Sequence, residues 1–213
     1  MSAHNRAVRA DIRLSRDDAG RAYSDQAILI VDPKAGRQFF ALRKSGFRSL
    51  LPLGWGAGKA IDGPQASPVT IGTDDPLGGT DLRAMEMFPF WDFDHNTSFI
   101  SDDTRLEKTV TMYAPEGNAY KLFVITFDKA RMVPLGIKYY QVAMNNMVRL
   151  RRNSDFTMVG SRLRPRNIAI KDFTENTSTT LHLDWKLLEA VPSGIMDEGA
   201  FHKTTLDWPD KAD

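Results

Sequence analysis

Two apolar runs, Ala27-Ile28-Leu29-Ile30-Val31 and Gln38-Phe39-Phe40-Ala41-Leu42, flank the segment Asp32-Pro33-Lys34-Ala35-Gly36. This pattern restricts the fold more than any other in the chain. Both runs are rich in aliphatic or aromatic residues and too short for helices, so they read as strands. Pro33 presets φ for a turn, and Gly36 supplies a residue that enters the left-handed region without a Cβ clash. A β-hairpin follows. The same grammar recurs where 109–113 and 120–127 surround Pro115-Glu116-Gly117-Asn118, and alternation of apolar and polar residues marks 8–14, 167–173 and 179–185 as further strands.

These strands predict a mainly β chain: one antiparallel sandwich or barrel-like domain over residues 1–213, with long loops and room for one helix. The glycine- and proline-rich stretch 46–80 reads as a long loop or arm that can hold the short strand Val69-Thr70-Ile71. The helix candidate lies later. Ile137, Tyr140, Met144, Met147 and Val148 fit helical spacing, while Tyr140, Val142, Met144, Val148 and Leu150 fit strand alternation, so both readings stand.

The net charge of +1 conceals four blocks. Residues 1–61 carry +6, 62–129 carry −7, 131–171 carry +8 and 172–213 carry −6. Such segregation is expected either to neutralise itself on folding, to bring opposite faces of neighbouring subunits together, or to line a groove for a polyanion. The last block of positive charge, with Arg149, Arg151, Arg152, Arg162, Arg164, Arg166 and Lys171 interleaved with Tyr139, Tyr140 and Phe156, is the candidate nucleic-acid-binding segment. Arginine favours planar contacts with phosphate, and nearby aromatics can stack bases.

Motifs for catalysis are missing or incomplete. Leu53-Gly54-Trp55-Gly56-Ala57-Gly58-Lys59-Ala60 has glycines and a lysine, but Leu53 and Ala60 stand where a phosphate-binding loop needs glycine and a hydroxyl. Asp92, Asp94 and His95 form the candidate site of a metal-dependent enzyme, although strand geometry would turn His95 away from the two carboxylates. No nucleophile elbow, zinc helix or dinucleotide fingerprint occurs. The chain has no cysteine and no apolar run near the roughly 20 residues of a membrane-spanning helix, and its first residues do not read as a secretory signal. A cytoplasmic or virion-associated location is the expectation.

Phe88, Phe90, Trp91 and Phe93 crowd one segment, and with Trp55 they are the candidate interface residues, because Trp and Phe are enriched at interface cores. The sequence thus predicts a non-enzymatic structural or assembly subunit of a larger complex, such as a virion or phage particle. It is expected to be a homo-oligomer or to join other subunits, with no cofactor and no bound metal. The alternatives are a nucleic-acid-binding protein and a metal-dependent enzyme.

Overall fold

The structure, a computed structural model, describes residues 6–54, 56–72, 74–87, 98–114, 116, 118–142 and 144–209. Among them a first meander comprises β1 (Val8–Asp18), β2 (Arg21–Asp32), β3 (Arg37–Leu42), β4 (Arg48–Pro52), β5 (Gly58–Ile61) and β6 (Val69–Ile71). A second comprises β7 (Ser98–Asp103), β8 (Glu107–Tyr113), β9 (Leu122–Asp128), β10 (Val133–Tyr140), β11 (Met147–Val159), β12 (Arg162–Asp172) and β13 (Thr177–Leu187). Each strand pairs antiparallel with its sequence neighbour within its meander, and β1 pairs with β13 from Val8↔Leu187 to Asp18↔Thr177 to join the two halves into one sheet. β6 and β7 are left at opposite edges. The mainly β, barrel-like architecture read from the sequence is correct.

The hairpin read between residues 27 and 42 is present, with Ala27 opposite Leu42 and Gly36 at φ +62°. The strands read at 109–113 and 120–127 also pair, as β8 and β9. Two expectations need correction. The stretch 46–80 contains, besides the short strand read at 69–71 and present as β6, the strands β4 and β5, because Leu50, Leu51, Ala60 and Ile61 supply enough apolar surface to extend the sheet. The helix candidate is divided between β10, which ends at Tyr140, and β11, which begins at Met147. Pairing with β9 and β12 satisfies those backbones, and packing on the sheet decided between the two periodicities.

Thirteen strands laid flat would extend about 60 Å, which short segments cannot cover. Instead Leu29, Phe40, Leu51, Met112, Ile125, Ile137, Ile168 and Leu183, drawn from both meanders, belong to one buried cluster. The sheet is therefore curled around its interior, as large twisted sheets must be. Residues 74–87 enter that interior as a plug, burying Leu77, Leu82, Ala84, Met85 and Met87, and end in a short 3₁₀ turn, Ala84–Met87.

Outside the curl, Ile28, Ile30, Phe39, Ala41, Leu50 and Ile61 form a second cluster, covered by Ile195 and Phe201. The C-terminal segment is tied down through its own carbonyls. Arg48 Nη1 donates to Thr204 O at 2.7 Å and His202 O at 2.9 Å, and Arg37 Nη1 donates to Met196 O at 3.0 Å. The unbroken apolar runs of β2 and β3 are thereby explained: both faces of these strands are buried.

Candidate functional site

The plug is held by ions rather than by apolar contact alone. Glu86 follows Met85 into the interior, where it is fully buried, and Arg149 reaches it from β11 with Nε to Oε1 at 2.5 Å and Nη2 to Oε2 at 3.0 Å. The same guanidinium meets Asp172 Oδ2 through Nη1 at 2.6 Å and donates to the backbone oxygen of Asp81. Asp81 in turn accepts from the hydroxyls of Thr177, at 2.6 Å, and Thr179, and lies 4.0 Å from Arg16 Nε. Arg151 donates to the carbonyl of Glu86 and, through Nε at 2.8 Å, to Asn153, which holds Pro134 O at 2.8 Å. Burial works against the charge of Arg149, but Glu86 and Asp172 outweigh it and hold its pKa above the ordinary guanidinium value. Burial lowers the pKa of Arg151.

This arrangement corrects the nucleic-acid reading. Arg149 and Arg151 are 1% and 6% exposed and face the interior, so neither can reach a phosphate backbone. Strand alternation places Arg152 and Lys171 on the opposite face, where both are exposed. Arg166 lies 3.6 Å from Asp184 and 3.9 Å from Asp155, and Arg131 lies 3.7 Å from Asp128. Arg162 and Arg164 remain near the β11–β12 turn. The seven residues do not form one basic face. The charge blocks meet within the chain, as one of the three sequence readings held.

Trp55, Phe88, Phe90, Trp91 and Phe93, the candidate interface residues, lie outside the described residues, as do Asp92, Asp94 and His95. Among the described residues no three His, Asp or Glu side chains come together in a way that could hold a metal ion.

The other end of the interior is open. Three hairpin turns, β2–β3, β9–β10 and β11–β12, lie at the same end of the sheet, and below them is a cavity of about 630 Å³. Its wall is largely apolar: Leu29, Val31, Leu53, Val133, Ile168, Leu183 and Trp185 line it, together with Arg151 and Asn153 of β11 and with Met87 and Glu86 of the plug contributing from the 3₁₀ turn. Phe156, Met132, Arg131, Arg162 and Arg164 come from the turns and strand ends. Arg164 stacks on Trp185 with its Cζ 4.8 Å from the ring centroid, and Trp185 Nε1 donates to Pro165 O at 2.8 Å. A cavity of this size with an apolar wall and a few convergent cations suits a small amphiphilic ligand.

No protein-family model matches the chain, and no curated protein matches it in sequence. Solved structures do share its fold. A domain described as an outer membrane lipoprotein-sorting protein from Vibrio parahaemolyticus superposes with a TM-score of 0.78 at 11% identity, covering 92% of this chain and 91% of that one. A DUF1329 family protein from Desulfovibrio piger gives 0.77 at 10% identity, and a LolA superfamily protein from Nitrosomonas europaea gives 0.70 at 11%, with the same coverage.

The expectation of a virion or other assembly subunit is corrected by this likeness: the curled sheet shares its fold with a domain described as an outer membrane lipoprotein-sorting protein and with a LolA superfamily protein. The basic segment's buried ion pairs overturn nucleic-acid binding on separate grounds. None of the three similar structures is described as an enzyme. Among the described residues no helix is long and apolar enough to cross a membrane.

Sequence reasoning missed the cavity because its wall joins β2, early in the chain, to β10, β11, β12 and β13, late in it. One signal was available. Glu86 sits between two methionines, and a carboxylate in an apolar run requires a buried partner.

Proposed function

We propose that the protein is a non-catalytic carrier that shelters the acyl chain of a lipid or lipid-modified protein inside the curled sheet. The observation that carries this reading is the cavity of about 630 Å³, apolar along Leu29, Val31, Ile168, Leu183 and Trp185 and open between three hairpin turns. Its size lies within the range of small-ligand sites. Transfer of each methylene from water into such a wall is favourable by about 0.8 kcal/mol, so a single long chain supplies the driving force for reversible binding. The fold likeness to a lipoprotein-sorting domain supports the same reading.

A carrier needs a wall that persists when empty. The plug provides this support: Glu86 and Met87 reach the cavity from a turn fastened to β11 and β12 by Arg149 and Asp172. The uncharged fluorophore N-phenyl-1-naphthylamine tests the reading. Saturable binding of one probe per chain is expected, weakened by Leu183→Trp, which narrows the cavity. A wild-type protein that shows no saturable probe binding overturns the carrier.

A further inference from the structure

We infer that Arg164 binds the anionic headgroup, carboxylate or phosphate, of the amphiphile whose chain occupies the cavity. This rests on the carrier reading and names the class of cargo.

Among the described residues, the guanidiniums that hold the plug have carboxylates nearby. Arg16, Arg149 and Arg151 are set among Asp81, Glu86 and Asp172, three cations with three carboxylates. Arg164 stands apart from that set. Its guanidinium lies over the Trp185 ring at the cavity wall, its Nε is sealed from solvent without an acceptor, and among the described residues no carboxylate pairs with it. The charge that acts on it is Arg162, of the same sign. Burial first, and Arg162 second, pull its pKa down to about 10.

A stacked, half-buried guanidinium beside a second cation is an incomplete arrangement. An incoming anion offsets both the burial and the repulsion, and the planar fork fits a carboxylate or a phosphate through paired N–H donors. The apolar wall begins at once beside it, at Trp185 and Leu183. One anion joined to one acyl chain matches that sequence of surfaces. A neutral lipid's hydroxyl or carbonyl oxygen can accept from Arg164, but it leaves the guanidinium charge and its repulsion from Arg162 uncompensated.

The test compares three single-chain probes on the whole protein at pH 7.5: palmitate, oleoyl lysophosphatidic acid and hexadecanol, each displacing N-phenyl-1-naphthylamine. The wild type is expected to prefer at least one charged probe to hexadecanol by about tenfold or more, the usual worth of a hydrogen bond to a charged group. A preference for palmitate or for the lysophosphatidic acid identifies the anion as carboxylate or phosphate. Arg164→Gln is expected to erase the preference while leaving hexadecanol binding in place, and Arg164→Lys to restore part of it. A purely structural stacking role would instead move the melting temperature and leave the preference intact. Equal affinity of the wild type for charged and neutral probes overturns the headgroup assignment while leaving the carrier standing. Binding of no probe removes both. Should Arg164→Gln fail to fold by circular dichroism, the wild-type comparison and Arg164→Lys still decide.

Discussion

Arg149 and Glu86 meet as a two-pronged pair, Nε to Oε1 at 2.5 Å and Nη2 to Oε2 at 3.0 Å, with side chains 1% and 0% exposed. The residues are 63 positions apart, one on a central strand and the other on the plug. Removing either partner leaves an uncompensated charge in the interior, an effect of about 3–5 kcal/mol. Glu86→Ala and Arg149→Ala are each expected to lower the unfolding free energy by that amount in urea titrations. Each single change breaks the same pair and strands its partner, so the double variant should lose less than the sum of the singles. Strict additivity would show that the pair does not couple the plug to the sheet.

Much of this fold is legible in sequence because hairpins are local. Pro33 and Gly36 specify a turn that needs no knowledge of the rest of the chain, and the pairing of Ala27 with Leu42 follows. The cavity is not local. Leu29 and Leu183 face the same space only because β1 and β13 pair, and that closure joins the ends of two meanders. The arginines misled for a related reason. A basic segment seen alone suggests a polyanion, whereas Glu86 and Asp172 neutralise Arg149 from outside that segment. Alternation along β11, which sends Arg151 inward and Arg152 outward, is visible in sequence and already argues against a single basic face.

The outer cluster should be separable from ligand binding. Phe201 is fully buried against β2–β5 on the face away from the cavity. Phe201→Ala is expected to cost about 3–5 kcal/mol of stability through the lost transfer and the void left behind. N-phenyl-1-naphthylamine affinity at a temperature where the variant is folded should stay within about twofold of wild type, since a distant site adds nothing to binding. A large loss of affinity would mean that the cover also shapes the cavity.

Gly78 places the plug under Leu42 and Phe47. It adopts φ +59°, and a Cβ there would lie 2.6 Å from Leu42 Cδ1 and 2.7 Å from Phe47 Cβ. Gly78→Ala therefore combines left-handed strain of about 1–2 kcal/mol with crowding of about 1–3 kcal/mol. A melting temperature lowered by several degrees is the expected result, and an unchanged one would place the plug elsewhere.

Alkaline pH should loosen the interior through tyrosine. Burial raises the pKa of Tyr120 to about 12, and burial likewise raises that of Tyr139, whose ring centroid lies 5.1 Å away. The folded phenols keep their protons where the unfolded ones, near pH 10, release them. Their contribution is thus fully present below pH 10 and is lost as pH rises through the folded values. For Tyr120 the shift corresponds to a loss on the order of 3 kcal/mol by pH 12. Tyr120→Phe should flatten the fall in urea midpoint between pH 10 and 12, and an identical slope in wild type and variant would exclude Tyr120 as a cause.

Chain length offers a direct measure of the cavity. If the apolar wall along Leu29, Val31, Ile168 and Leu183 takes up a chain, each methylene entering it contributes about 0.8 kcal/mol, or roughly a fourfold gain in affinity. In a series of primary alcohols from octanol upward, affinity is expected to climb at up to that rate and then level off. The plateau follows from the finite space of about 630 Å³, beyond which further carbons remain in water. Leu29→Phe shortens that space, so its plateau should arrive at a shorter alcohol, with the initial slope unchanged. A surface groove would give a different result: a shallower slope, no sharp plateau, and little response to Leu29→Phe. Affinity independent of chain length would remove the cavity as the binding site.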